Sequence, residues 1–361
     1  MFLRASTCVV VLVTLLGCGE GPRAAAARAG GSQLRAATAW RAIAAPPDNP
    51  VTQAKVELGF RLWFEPRLSG NQRMTCATCH HHTTGFSNAE PTAAGIHGQR
   101  GNRNVPTLYA AAGSTAQFWD GRAASLEDQA LQPIENPIEM DARLSDVIRK
   151  LAQHPYYPQK FQQAFGTGVT ADGMAKALAS FERALRLKPS SYDRFLTGDE
   201  DALTAQQRRG LAIFSSARGR CVACHSGPDL TDRDFHNTGV GQAGPQADPG
   251  RQAVTHREQD RGAFKTPTLR NVARTGPYMH DGSLPTLEAV VAHYNRGGGP
   301  NPNLDPRLAP LGLTPEEAED LVAFLRALSA ADNLKELAGL PGIRNPRRPQ
   351  EPLALPADLL P

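Results

Sequence analysis

PTLYAAAGSTAQFWDGRAASLEDQALQP, residues 106–133, lies over PTLRNVARTGPYMHDGSLPTLEAVVAHY, residues 267–294, without a gap. Pro-Thr-Leu opens both stretches, and Asp-Gly and Leu-Glu fall in register. Self-similarity of this length means that the chain builds one supersecondary unit twice. Working outward, Cys76-Ala-Thr-Cys79-His80 precedes the first copy and Cys221-Val-Ala-Cys224-His225 the second. Further upstream, Val51-Thr52 with Gly59 and Trp63 is echoed by Leu203-Thr204 with Gly210 and Phe214. Two equivalent domains are expected, over residues 51–200 and 201–330.

The Cys-x-x-Cys-His spacing sets two thiols on one helical turn. There both can form thioethers to porphyrin vinyl groups while the adjacent imidazole reaches iron. Cys76, Cys79, Cys221 and Cys224 are therefore the expected attachment points of two haem c groups, with His80 and His225 as proximal ligands. A single such motif could be a zinc half-site, but two copies in matching repeats argue for haem. His81 and His82 follow directly, and a turn that aims His80 at iron points its neighbours elsewhere. His154, His236, His256 and His293 carry no motif and read as surface or satisfied core groups.

The strongest local patterns are helical. Thr204-Ala-Gln-Gln207 and Thr314-Pro-Glu-Glu317 are capping boxes, the latter with Pro at the first helical position. Met174, Leu178, Phe181 and Leu185 form one apolar face at helical spacing, and Leu321, Val322, Phe324, Leu325 and Leu328 form another. With 33 glycines, 29 prolines and no sustained alternation, the expected class is all-α: two cytochrome c-like haem domains in tandem with long ordered loops.

The first residues, MFLRASTCVVVLVTLLGC, carry one Arg and an apolar run too short to span a bilayer. This reads as an export signal with a lipobox, so residues 1–17 are expected to be a cleaved lipoprotein signal peptide. Cys18 would carry lipid, and residues 18–50 would tether a periplasmic protein to a membrane. Residues 331–361 are expected to be a proline-rich tail. Cys8 leaves with the signal, Cys18 takes lipid and the remaining four cysteines attach haem, so no thiol is left for a disulfide. The net charge of +4 is no nucleic-acid footprint.

NVPTL, FWDGR, EDQALQPIENPIEM, FKTPTLRNV and YMHDGSLPTLE, in this order around the two haem motifs, resemble the bacterial di-haem cytochrome c peroxidase superfamily over about residues 51–328. The resemblance implies that the His80 haem reacts with hydrogen peroxide, with Gln129 and Glu139 on its distal side. Chemistry agrees, because splitting peroxide moves a proton from one oxygen to the other, which a partly buried carboxyl can do. Trp119 resembles the family tryptophan that relays electrons between the haems. His97 resembles the loop histidine that caps the first haem at rest in some members. Asn104, with the main-chain oxygens of Thr275 and Pro277, matches the family's calcium site, and oxygen ligands from loops suit that ion.

Superposing the repeats pairs Asp120 with Asp281, and hence Pro133 with Tyr294. Since Pro133 matches a distal residue of the first haem, Tyr294 should face the second. Where many family members carry Met, this chain has Tyr, as the MauG-type branch does. A phenolate favours ferric iron, whereas a thioether favours ferrous. Met279 is the rival ligand, aligned with Phe118.

Two enzymatic readings follow. One is a peroxidase fed by a small cytochrome c or cupredoxin, supported by His97, Gln129 and Glu139. The other is a MauG-type oxidase that uses peroxide to modify a protein substrate, supported by Tyr294. A two-haem electron carrier without catalysis needs both irons saturated, and Gln129 with Glu139 speaks against it.

Overall fold

The computed structural model describes residues 45–244 and 247–340. The signal peptide, Cys18, most of the tether and the segment from residue 341 lie outside the described residues. Among the described residues no helix is long and apolar enough to cross a membrane.

Each half is organised by one helix crossing. In the first, the helix Gln53–Trp63, whose first turn the Thr52 hydroxyl caps by accepting from Lys55 N, packs on the helix Ala171–Ala184. In the second, the helix Ala205–Phe214 packs on Pro315–Arg326, and both begin with the capping boxes read from the sequence. The crossings are close because glycine sits at each: a Cβ on Gly59 would lie 2.0 Å from the Ala177 carbonyl oxygen, and one on Gly210 would lie 1.9 Å from that of Asp320. Gly59→Ala and Gly210→Ala are expected to destabilise by about 1–3 kcal/mol, because the helices must move apart; chemical denaturation of each variant measures it.

The apolar stripes end where their spacing put them. Met174, Leu178, Phe181 and Leu185 are buried in the first core with Phe60 and Phe161. Leu321, Val322, Phe324, Leu325 and Leu328 are buried in the second with Tyr192 and Phe214. Among the described residues the one sheet is a two-stranded antiparallel pair, Phe235–His236 with Phe264–Lys265. The class is mostly helical, two cytochrome c-type domains in tandem.

The repeat persists in the backbone. Ala110 and Asn271, and again Phe118 and Met279, are paired left-handed residues with φ of 62°, 60°, 65° and 74°. Bridges join Gln117 to Ala123 and Tyr278 to Leu284, and the helices Leu126–Glu135 and Leu287–Asn295 follow, capped by Ser125 and Thr286. The tail departs from its expected start at residue 331. The helix Leu334–Ala338 buries Leu334, Leu337 and Ala338 in the core of the first half, and the Asn333 side chain holds the backbone of Arg186 and Ala184. Two leucines at helical spacing precede the first proline of the tail, and apolar burial claims them.

Arg103 holds the seam between the halves. Its guanidinium donates to both Asp248 oxygens at 2.8 Å and to Asp120 at 2.6 Å. Arg251 donates to the carbonyls of Asp120 and Gly121, and Lys265 N donates to that of Trp119.

Candidate functional site

Both Cys-x-x-Cys-His motifs sit on short turns that end at the histidine. His80 N and His225 N donate to the carbonyls of Cys76 and Cys221, closing each turn. The His80 ring nitrogen Nδ1 lies 2.9 Å from the Phe86 carbonyl, and that of His225 lies 3.0 Å from the carbonyl of Leu230. Burial lowers the pKa of both imidazoles and keeps them neutral. A neutral ring that donates from Nδ1 to a carbonyl presents the lone pair of Nε2, the arrangement a metal-ligating histidine needs. None of the four motif cysteines is in a disulfide.

One continuous, mainly apolar cavity of about 750 Å³ reaches both motifs. In its first part, Gln129, Pro133 and Glu139 share the walls with Cys76, Cys79 and His80. Among the described residues no protein group hydrogen-bonds the Gln129 amide. Asn136 donates to Glu139 Oε1 at 2.8 Å, which leaves the second carboxylate oxygen open. Burial raises the Glu139 pKa above its ordinary 4.5, against the opposing effects of Arg122 and Asn136. A carboxyl whose pKa is raised in this way is suited to accept and return a proton.

In the second part, Tyr294 and Met279 line the cavity with Cys221, Cys224 and His225. Burial pushes the Tyr294 phenol far up, with the charge of Cys224 and Cys221 adding to it. Among the described residues no protein atom accepts from its hydroxyl, whereas Tyr278 donates to the Val272 carbonyl at 3.0 Å. A half-buried phenol without a protein partner fits a group that would occupy the cavity. The free imidazole nitrogens, paired thiols and apolar walls together fit two covalently bound haems.

Trp119 also lines the cavity, and its indole N–H donates to the Asn104 carbonyl at 2.9 Å. Asn104, Thr275 and Pro277 all line the cavity. Asn104 donates its side-chain nitrogen to the carbonyls of Glu90 and Pro91, turning its oxygen away from them, and neither Thr275 O nor Pro277 O enters a backbone hydrogen bond. His97 is exposed, does not line the cavity, and its Nε2 lies 2.9 Å from Asp141. Its loop is docked there, since Ile96 N donates to the Glu139 carbonyl and Gly95 packs against Ile138 O.

Several site groups escaped the motifs. His280 occupies the repeat position of Trp119, lines the cavity and stacks on Phe264 at 3.6 Å; laying the repeats side by side could have found it. His236 is buried between Asp232 at 2.9 Å and Asp305 at 2.8 Å. Cys224, Asp232 and His236 lie close enough together to hold a metal ion, but Cys224 belongs to the haem motif.

Glu182 carried no signal, being one polar residue at the edge of an apolar stripe. It lines the cavity where the second half has Leu325, and burial pushes its pKa to about 8. Because the folded value is raised, folding favours the neutral acid. Stability is present in full below 4.5 and is lost as pH rises from there through about 8. Glu182→Leu is expected to remove this slope and raise the melting temperature at pH 8–9, as thermal melts across pH would show.

A family model described as di-haem cytochrome c peroxidase matches residues 53–201, and one described as cytochrome c matches residues 207–329. The methylamine utilization protein MauG of Methylorubrum extorquens is 41% identical over 82% of this chain and 84% of its own. The cytochrome c551 peroxidase of Pseudomonas aeruginosa is 38% identical over 81% and 83%. Among solved structures, a MauG-like protein associated with microbial copper homeostasis superposes with a TM-score of 0.76 at 30% identity, covering 84% of this chain and 95% of that one.

Proposed function

The chain belongs to the di-haem cytochrome c peroxidase family of oxidoreductases acting on peroxide, and from there we propose that it cleaves hydrogen peroxide at the His80 site, with electrons supplied at the His225 site by a small cytochrome c or cupredoxin. One observation carries this reading: Gln129 and Glu139 line the same cavity as His80, and burial raises the proton affinity of Glu139.

Bound haems would supply the redox-active iron. Cys76, Cys79 and His80 would hold one, and Cys221, Cys224, His225 and Tyr294 the other. The Gln129 amide orients peroxide by donating to one of its oxygens. The open oxygen of Glu139 takes a proton from the nearer peroxide oxygen and returns it to the departing one, so that water rather than hydroxide leaves. Asn136 keeps the carboxyl aimed, and the apolar walls exclude solvent. Trp119, held by Asn104 and the Lys265 backbone, relays electrons between the two sites. Trp119→Phe is expected to leave peroxide binding intact and slow electron exchange between the haems, as stopped-flow absorbance after half-reduction would measure.

Calcium at Asn104 Oδ1, Thr275 O and Pro277 O belongs to the same proposal, as do the lipid anchor at Cys18 and a periplasmic location. His97 would serve as a resting ligand only after its loop leaves Asp141.

Tyr294 favours a second reading, in which peroxide is used to oxidise residues of a partner protein. The loaded protein mixed with peroxide and a reduced small cytochrome c separates the two. Rapid, continuous oxidation of the cytochrome supports the first reading. A long-lived oxidised state that the cytochrome does not discharge supports the second.

A further inference from the structure

Aromatic rings form a chain leading away from His80. The Trp63 ring lies 5.6 Å from the imidazole, Phe86 lies 6.5 Å from Trp63, and Tyr109 lies 5.6 Å from Phe86, edge to face. All three are buried, and Phe86 is completely so. At the end of the chain the Tyr109 hydroxyl donates to Asp332 Oδ2 at 2.5 Å, across 223 residues of sequence. The other Asp332 oxygen accepts from Leu334 N and so fixes the carboxylate in place.

We propose that Tyr109 and Asp332 form a proton-coupled redox site, a second outlet for oxidising equivalents produced by peroxide at the His80 haem, on a route that does not use Trp119. The proposal rests on the peroxidatic reading of the His80 site. Electron transfer weakens steeply with distance, and these rings stand at near contact. The two ends of the chain differ in what they can do with a proton. The Trp63 indole N–H is buried and finds no protein acceptor among the described residues. An oxidised Trp63 therefore keeps its proton and its charge in an apolar wall, where charge is costly, and passes the oxidation on. Tyr109 can become neutral at once, because a carboxylate already accepts its hydrogen bond.

The step balances as follows. One electron leaves the Tyr109 phenol for the oxidised His80 site through Phe86 and Trp63. The phenolic O–H bond breaks, its proton forms a bond to Asp332, and a neutral tyrosyl radical and a carboxylic acid remain. Hydrogen peroxide, reduced to water, is the oxidant. Of the two oxidising equivalents it delivers, Tyr109 absorbs one and the other stays with the haem pair. Tyr157 with Glu65 has the same phenol-carboxylate chemistry but its ring neighbours are Tyr156 and His154, and it does not line the cavity.

The test is freeze-quench EPR with parallel absorbance on the haem-loaded protein, mixed with peroxide in the absence of reductant. Wild type and Tyr157→Phe should give a tyrosyl signal. Tyr109→Phe, which removes only the hydroxyl, should lose it, and Asp332→Asn, which keeps the helix cap but not the proton acceptor, should lose or delay it. The haem absorbance change should be the same in all four. A normal absorbance change with a tyrosyl signal that survives in Tyr109→Phe, or with none in wild type, overturns the Tyr109 assignment alone. No absorbance change in any of them overturns the peroxidatic reading and this inference with it.

Discussion

Glu139→Gln is expected to slow peroxide cleavage by at least about tenfold, and by up to about 10⁴-fold if proton transfer limits the rate throughout. The amide has the size of the carboxyl and still offers an oxygen to the Asn136 side chain, which donates at 2.8 Å in the parent. The loop stays in place through its backbone: Glu139 N and Asp141 N donate to the Asn136 carbonyl, and Met140 N to that of Pro133. Haem content and melting temperature should therefore be unaltered. What is lost is a group that can accept a proton and return it. Because burial places the Glu139 pKa above 4.5 and its base form starts the reaction, kcat/KM for peroxide in the parent should fall as pH drops through that raised value. Glu139→Gln should lack this acid limb. Stopped-flow rates across pH measure both effects, and an unaltered rate would remove Glu139 from the mechanism.

Tyr294→Met should raise the reduction potential of the second haem by an amount on the order of hundreds of millivolts, since axial ligands tune haem potentials over about 0.8 V. The phenol lines the cavity with Cys221 and Cys224, and among the described residues no protein group accepts from its hydroxyl. Its cost of ionisation in that wall is high, as the upward push on its pKa shows. Under the proposed ligation, bonding to ferric iron would offset that cost, and exchanging a hard anionic ligand for a thioether would stabilise the ferrous state. Potentiometry with low-temperature EPR reads the change. Met279→Leu is the companion, because Met279 lines the same cavity on a left-handed turn that mirrors Phe118. If Met279→Leu moves the potential and Tyr294→Met does not, the ligand is Met279.

Much of this was legible in the chain. The helix caps at Thr204 and Thr314 depend on residues three positions away, so local chemistry suffices to place them. The repeat carried over into paired backbone angles because identical turns demand identical conformations. Repeat symmetry together with the family resemblance pointed to Tyr294, which lines the cavity with Cys221, Cys224 and His225. Less legible was the helix Leu334–Ala338, whose docking depends on a surface contributed by the far end of the sequence. His97 was read from a motif, and the structure ties it to Asp141 in an adjacent loop.

The sequence by itself determined the two haem attachment motifs, the duplication with its paired glycines Gly59 and Gly210, and the helical class. Each of these is written in short-range spacing or in the comparison of one half with the other. Only the tertiary structure decided that both motifs open onto one cavity, that Glu182 and Glu139 hold their protons more tightly than free carboxyls, and that Tyr109 finds Asp332. Solvation and pairing set these properties. They are sums over neighbours that folding brings from remote parts of the chain, and no window of sequence contains them.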